Sequence, residues 1–126
     1  HHPGEISATL DAAKRQGYKR VIAVFQPHLY SRTRDFLDQF AQSLSGADLV
    51  CVTDIYKSRE QPIPGVNAED IVERINAGAK NAAFYVNDKD EIAGNLREKV
   101  TYGDLVVFMG AGDIWESAYQ FAGVKS

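Results

Sequence analysis

Cysteine, methionine and tryptophan occur once each in this chain of 126 residues, and there are only four prolines. With Cys51 alone, no disulfide can close within the chain. It sits in the apolar run Leu49-Val50-Cys51-Val52 and reads as a small core residue rather than a nucleophile. No stretch approaches the roughly 20 apolar residues of a membrane helix, and no leader-like pattern opens the sequence. No membrane partner is expected, therefore, and a reducing, cytoplasmic setting is. The net charge of -3 is weak and no lysine or arginine cluster runs along a face, which argues against nucleic acid as a partner. Repeats and low-complexity tracts are missing. So are several signatures of chemistry. There is no G-x-x-x-x-G-K-[ST] phosphate loop and no G-x-S-x-G elbow, and His1, His2 and His28 lack cysteine or carboxylate partners at zinc-like spacing, so no metal site is expected.

What is present is a pattern of short apolar runs alternating with helical periodicity, in a chain 44% hydrophobic and long enough for one domain with its own core. Pro3 suits a first helical turn, with Ile6, Leu10 and Ala13 on one face and Gly17 as a stop. A strand is predicted over 21–26, then a helix from about Arg34 to Leu44 ending at Gly46, then a strand over 48–53. Asn67 is expected to cap a short helix carrying Ile71, Val72 and Ile75 that stops at Gly78. Ala82–Val86 reads as the third strand, and Asn87 or Asp88 as the cap of a helix with Ile92, Leu96 and Val100 inward. Leu105–Met109 is the fourth strand, and a last helix follows Gly112 to about Phe121.

Strands alternating with helices imply right-handed crossovers and a parallel sheet covered on both faces, a Rossmann-like doubly wound α/β single domain. The expected strand order is 3-2-1-4. The first and fourth strands are then neighbours at a reversal of winding, and their C-terminal loops, His28 to Arg34 and Gly110 to Asp113, should face one crevice. That places His28 or Arg32 near Gly110–Asp113. The one long irregular stretch, 54–66, has the length of a functional or docking loop.

Arginine at such a junction suits a carboxylate or phosphate, because its planar fork makes two charge-assisted hydrogen bonds to either. Arg32 and Arg34 fit that role, or equally a solvated helix start, with His28 a polar loop residue. Gly110-Ala111-Gly112 before a helix permits close backbone approach to a ligand or neighbouring domain, or a tight strand-to-helix turn. A dinucleotide fingerprint would need Gly or Ala where Trp115 stands.

Four segments carry a more specific signal: His1-His2-Pro3-Gly4-Glu5, the run Phe25-Gln26-Pro27-His28-Leu29-Tyr30-Ser31-Arg32-Thr33-Arg34-Asp35, Ile55–Val66, and Gly110-Ala111-Gly112-Asp113-Ile114. In order and wording they resemble the HHPTE, FQPHRYTRTRD, IYxAREKPIPGV and GAGDI motifs of the C-terminal domain of bacterial Mur ligases, most closely the alanine-adding branch. His1-His2 could also be the remnant of a purification tag. The resemblance covers essentially residues 1–126 but only about a third of such a ligase. It implies a C-terminal domain that presents L-alanine to UDP-N-acetylmuramate in an ATP- and Mg2+-dependent, amide-forming step of peptidoglycan biosynthesis, with ATP and the UDP-sugar held mainly by other domains and this domain inactive alone. It also implies an alanine pocket at His1, His28 and Arg32, with Arg32 on the carboxylate and the histidines orienting substrate, while Arg34, Gly110, Gly112 and Asp113 are candidates for ligand or interdomain contacts. Leu29 departs from the arginine common at that position, whose role is lost or passes to Arg34. The alternatives are the related ligase that recycles a peptide onto the same sugar and a non-enzymatic anion-binding module.

Overall fold

The computed structural model describes residues 2–56, 58–78, 82–110 and 112–122. Four strands, β1 (Arg20–Phe25), β2 (Leu49–Thr53), β3 (Ala83–Val86) and β4 (Asp104–Met109), form one parallel sheet in the order β3-β2-β1-β4. The helices are α1 (Pro3–Lys14), α2 (Tyr30–Asp35), α3 (Leu37–Leu44), α4 (Glu69–Gly78), α5 (Ile92–Lys99) and α6 (Ile114–Ala122), with a 3-10 turn at Lys89–Glu91 before α5. Strand order matches the expectation, as does Asp88 as a cap, which accepts a hydrogen bond from the Asp90 N–H at 2.9 Å.

Strand β1 shows why its sequence is apolar without a break. Val21, Ala23 and Phe25 join one core with Ile6 and Leu10 of α1, Phe40 and Leu44 of α3, and Ile71 and Ile75 of α4. Ile22 and Val24 point the other way, into a second core with Ile92 and Leu96 of α5 and Ile114 of α6. A strand buried on both faces has no use for polar alternation. Cys51 lies in that second core, where burial pushes its thiol up to about 12, as expected of a packing residue.

Two expectations change. The single helix from Arg34 to Leu44 is instead α2 and α3, parted at Phe36, whose φ of -117° and ψ of 25° leave the helical region. The apolar period begins only at Leu37 because α2 buries a single residue, Thr33, so its existence is invisible to periodicity. At α4, Asn67 contributes its backbone rather than its side chain: its N–H donates to the Asp70 carboxylate at 3.0 Å.

At the opposite end of the sheet from the strand C-termini, the Arg20 guanidinium donates from Nε and Nη2 to the Asp104 carboxylate at 3.0 and 2.7 Å. Asp104 also accepts from the Thr101 N–H at 2.8 Å. These bonds, the arginine's first, hold its pKa down at about 2. The folded value lies below the unfolded one, so the stabilisation is complete above the usual aspartate range and is lost as pH falls through it toward 2. Asp104→Asn should therefore flatten the decline in melting temperature between pH 5 and 2, measured by circular dichroism, while lowering stability at neutral pH.

Candidate active-site crevice

The crevice is built on an unusual bend. After β1, Pro27 and His28 run beside the segment following β2: the Tyr56 N–H donates to Pro27 O at 2.8 Å, and the Leu29 N–H to Tyr56 O at 3.0 Å. Leu29 then takes φ 69° and ψ 139°, a left-handed conformation costly for a branched side chain. Its carbonyl accepts from the buried Thr33 hydroxyl at 2.8 Å. Leu29 offers no side-chain cap to α2. The cap comes instead from Glu60, whose carboxylate accepts from the N–H groups of Tyr30 and Ser31, the latter at 3.0 Å, and from the Ser31 hydroxyl. These bonds, the Ser31 hydroxyl's foremost, lower the Glu60 pKa.

The loops after β1 and β4 lie side by side as the topology requires. The Gln26 N–H donates to Met109 O at 2.9 Å and its Nε2 to Asp113 Oδ1 at 2.8 Å. A Cβ on Gly112 would stand 2.5 Å from the Tyr56 ring and 2.8 Å from Gln26 Oε1, and one on Gly110 would stand 2.9 Å from Gln26 Cβ. The close approach for which the two glycines are needed is thus to Gln26 and Tyr56. Lys89 pairs with Asp113 and reaches Glu116 at 3.4 Å, and its bond lowers the Asp113 pKa. Gln26, Lys89 and Asp113, together with Tyr30, Asp54 and Tyr56, line a cavity of about 490 Å³.

A second cavity of about 520 Å³ opens at the start of α1, lined by His2, Pro3, Glu5, Arg32, Phe36 and Gln39. His2 is the N-cap of α1: its Nδ1 accepts from the Gly4 N–H at 2.9 Å while Glu5 Oε1 accepts from the His2 N–H at 3.0 Å. This is a capping box with imidazole in place of a hydroxyl. Arg32, in the first turn of α2, lines the same cavity, so the first two sequence motifs meet in space. His28 lines neither cavity but lies beside Tyr56 of the first. Its ring stacks on Tyr56 at 6.0 Å, and burial, then the nearby Arg32 charge, push its pKa below the ordinary histidine value despite Glu60. The ring is therefore neutral near pH 7.

Of the residues singled out by sequence, Arg32 lines the second cavity and Asp113 the first, His28 lines neither, and Gly110 and Gly112 pack against Gln26 and Tyr56. His1 lies outside the described residues. Arg32 does not line the cavity of Asp113, and the contacts across the crevice are made by Gln26 and Tyr56 rather than by His28 or Arg32. Arg34 pairs with Asp35 at 2.9 Å and is about half exposed, the solvated-helix arrangement. Sequence reasoning missed Gln26, Tyr56, Glu60, Lys89 and the capping role of His2. Only the last had a local signal, Glu5 three positions on. Among the described residues, no group of three or more histidines, cysteines or carboxylates could hold a metal ion, and no helix is long and apolar enough to cross a membrane.

Fold and crevice define the class: an open, doubly wound α/β domain in which the loops after β1 and β4 meet at the switch point of the sheet. Within that class the chain belongs to the Mur ligase family, since the profile described as "Mur ligase, glutamate ligase domain" matches residues 1–112. It is 50% identical over 123 residues to the UDP-N-acetylmuramate–L-alanine ligase of Salinibacter ruber, covering 96% of this chain and 26% of that protein. It is 51% identical over 116 residues to the enzyme of the same name from Cutibacterium acnes, covering 90% and 24%. Its fold matches a crystal structure of a domain from a Haemophilus ducreyi protein assigned as a UDP-N-acetylmuramate:L-alanyl-gamma-D-glutamyl-diaminopimelate ligase, with TM-score 0.69 and 25% identity over 98% of this chain and 83% of that one. The chain thus spans about a quarter of the length of the curated relatives it matches.

Proposed function

We propose that this domain presents L-alanine for coupling to UDP-N-acetylmuramate in the ATP-dependent, alanine-adding step of peptidoglycan biosynthesis, in the bacterial cytoplasm where nucleotide-linked precursors are made. The observation that carries the reading is Arg32 lining one cavity with the His2-Pro3 segment, supported by the names of relatives at 50% and 51% identity. In the reaction, ATP phosphorylates the lactyl carboxylate of the sugar, the alanine amine attacks the acyl phosphate, phosphate leaves and an amide remains.

Charge neutralisation on the transferred phosphoryl group falls to Mg2+ and to parts of the ligase outside this chain, since no phosphate loop occurs in its sequence. What this domain contributes is position. Arg32 holds the alanine carboxylate through charge-assisted bonds, and neutral His28, with His1, orients the substrate so that the amine meets the acyl phosphate in line.

The full-length ligase carrying this domain should release phosphate only when ATP, UDP-N-acetylmuramate and L-alanine are all present. A preference for L-alanyl-gamma-D-glutamyl-diaminopimelate over alanine would instead assign the recycling reaction. The isolated domain should fold yet release no phosphate, and alanine-dependent turnover by the pure domain would refute the division of labour.

A further inference from the structure

We infer that Glu60 is a positioning residue for the amino-acid substrate: reaching from the 54–66 loop, it sets the one helical turn that carries Arg32. The inference rests on the proposed role of Arg32 and adds a residue that touches no substrate.

Helix α2 has six residues, too few to hold itself through its own i→i+4 ladder. It begins immediately after the left-handed Leu29, and no side chain of its own segment caps it. Its leading N–H groups would face nothing but water. Glu60 takes up the Tyr30 and Ser31 N–H groups and the Ser31 hydroxyl together, all on the residues directly before Arg32. On the far side, Thr33 ties back to Leu29 O through both its hydroxyl, at 2.8 Å, and its N–H, at 3.2 Å. The turn is thus clamped before and after Arg32, and the clamp on the leading side comes from 29 residues further along the chain. Remaining attachment of the loop does not depend on Glu60, because the Tyr56 backbone bonds to Pro27 and Leu29 hold it independently. Loss of the carboxylate should therefore loosen the turn without releasing the loop or the domain.

The test uses the full-length ligase with Glu60→Ala and Glu60→Gln, varying each substrate in turn and following thermal unfolding. Glu60→Ala should raise the KM for L-alanine about tenfold, the scale of a lost helix cap. Its kcat at saturating alanine and its KM for ATP and for the UDP-sugar should stay within about twofold. Glu60→Gln, whose carbonyl oxygen can still accept from both amides, should recover part of the loss. A merely structural glutamate would lower the melting temperature while leaving the alanine KM alone, or would raise all three KM values together. Either result overturns the inference. Should Glu60→Ala fail to fold, Glu60→Gln decides, and an alanine KM within about 1.5-fold of wild type refutes the positioning role. A wild-type enzyme indifferent to alanine would remove the functional reading itself, whereas alanine-dependent wild type with unaffected variants would remove Glu60 only.

Discussion

Arg32→Ala in the full-length ligase is expected to raise the KM for L-alanine by about 10–150-fold, the equivalent of the roughly 1.5–3 kcal/mol of a charge-assisted hydrogen bond. ATP and UDP-sugar dependence should hardly change, because Arg32 lies at the cavity by the start of α1 and apart from the Gln26–Lys89–Asp113 crevice. Arg32→Lys should restore only part of the loss, since an ammonium keeps the charge but not the two-pronged geometry. Steady-state kinetics with each substrate varied in turn checks this. An alanine KM within about twofold of wild type would return Arg32 to the status of a solvated helix residue.

The largest effect on stability is expected at Phe40. Its side chain is 1% exposed and packs its ring 5.3 Å from Phe25, the last residue of β1, so it joins α3 to the strand end from which the crevice loop departs. Phe40→Ala removes that ring and leaves a cavity that the sheet cannot collapse to fill, at about 3–5 kcal/mol. Domains of this kind are stable by only about 5–15 kcal/mol in total. Urea unfolding of the isolated domain should show the midpoint shifted down with little change in slope. A loss below about 1 kcal/mol would mean that the site repacks, as tolerant cores do.

What the sequence reveals and what it hides divides along the range of the interactions. The strands were legible as short apolar runs, those of β1 and β2 buried in the middle of the sheet and those of β3 and β4 half-buried at its edges, and the order of the strands followed from alternation with helices together with the handedness of crossovers. Gly110 and Gly112 announced a close approach, and the structure supplies the neighbours, Gln26 and Tyr56. Helix α2 was hidden because its start is enforced by Glu60 and its interior buries only Thr33, so neither local cap nor apolar period marks it. Lys89 was hidden for the same reason: its partners Asp113 and Glu116 come from another loop and helix, which no local window contains. His2 was passed over in the opposite sense, since the paired histidine motif drew attention to His1 as a substrate contact while the His2 ring is occupied with the backbone of its own helix.

That occupation bears on which way round the amino acid of the proposed function would lie. Because Nδ1 of His2 receives the Gly4 N–H at 2.9 Å, its lone pair is engaged and the ring can donate only from Nε2. The guanidinium of Arg32, lining the same cavity, has five hydrogens to give and no lone pair at all. Glu5, the one carboxylate among the described lining residues, has Oε1 already engaged by the His2 N–H. In the proposed function, a corner so rich in donors would take the carboxylate end of the amino acid and turn its ammonium end outward. The nucleophilic nitrogen would then lie on the open side, where an activated acyl group carried by another part of the ligase could be brought to it.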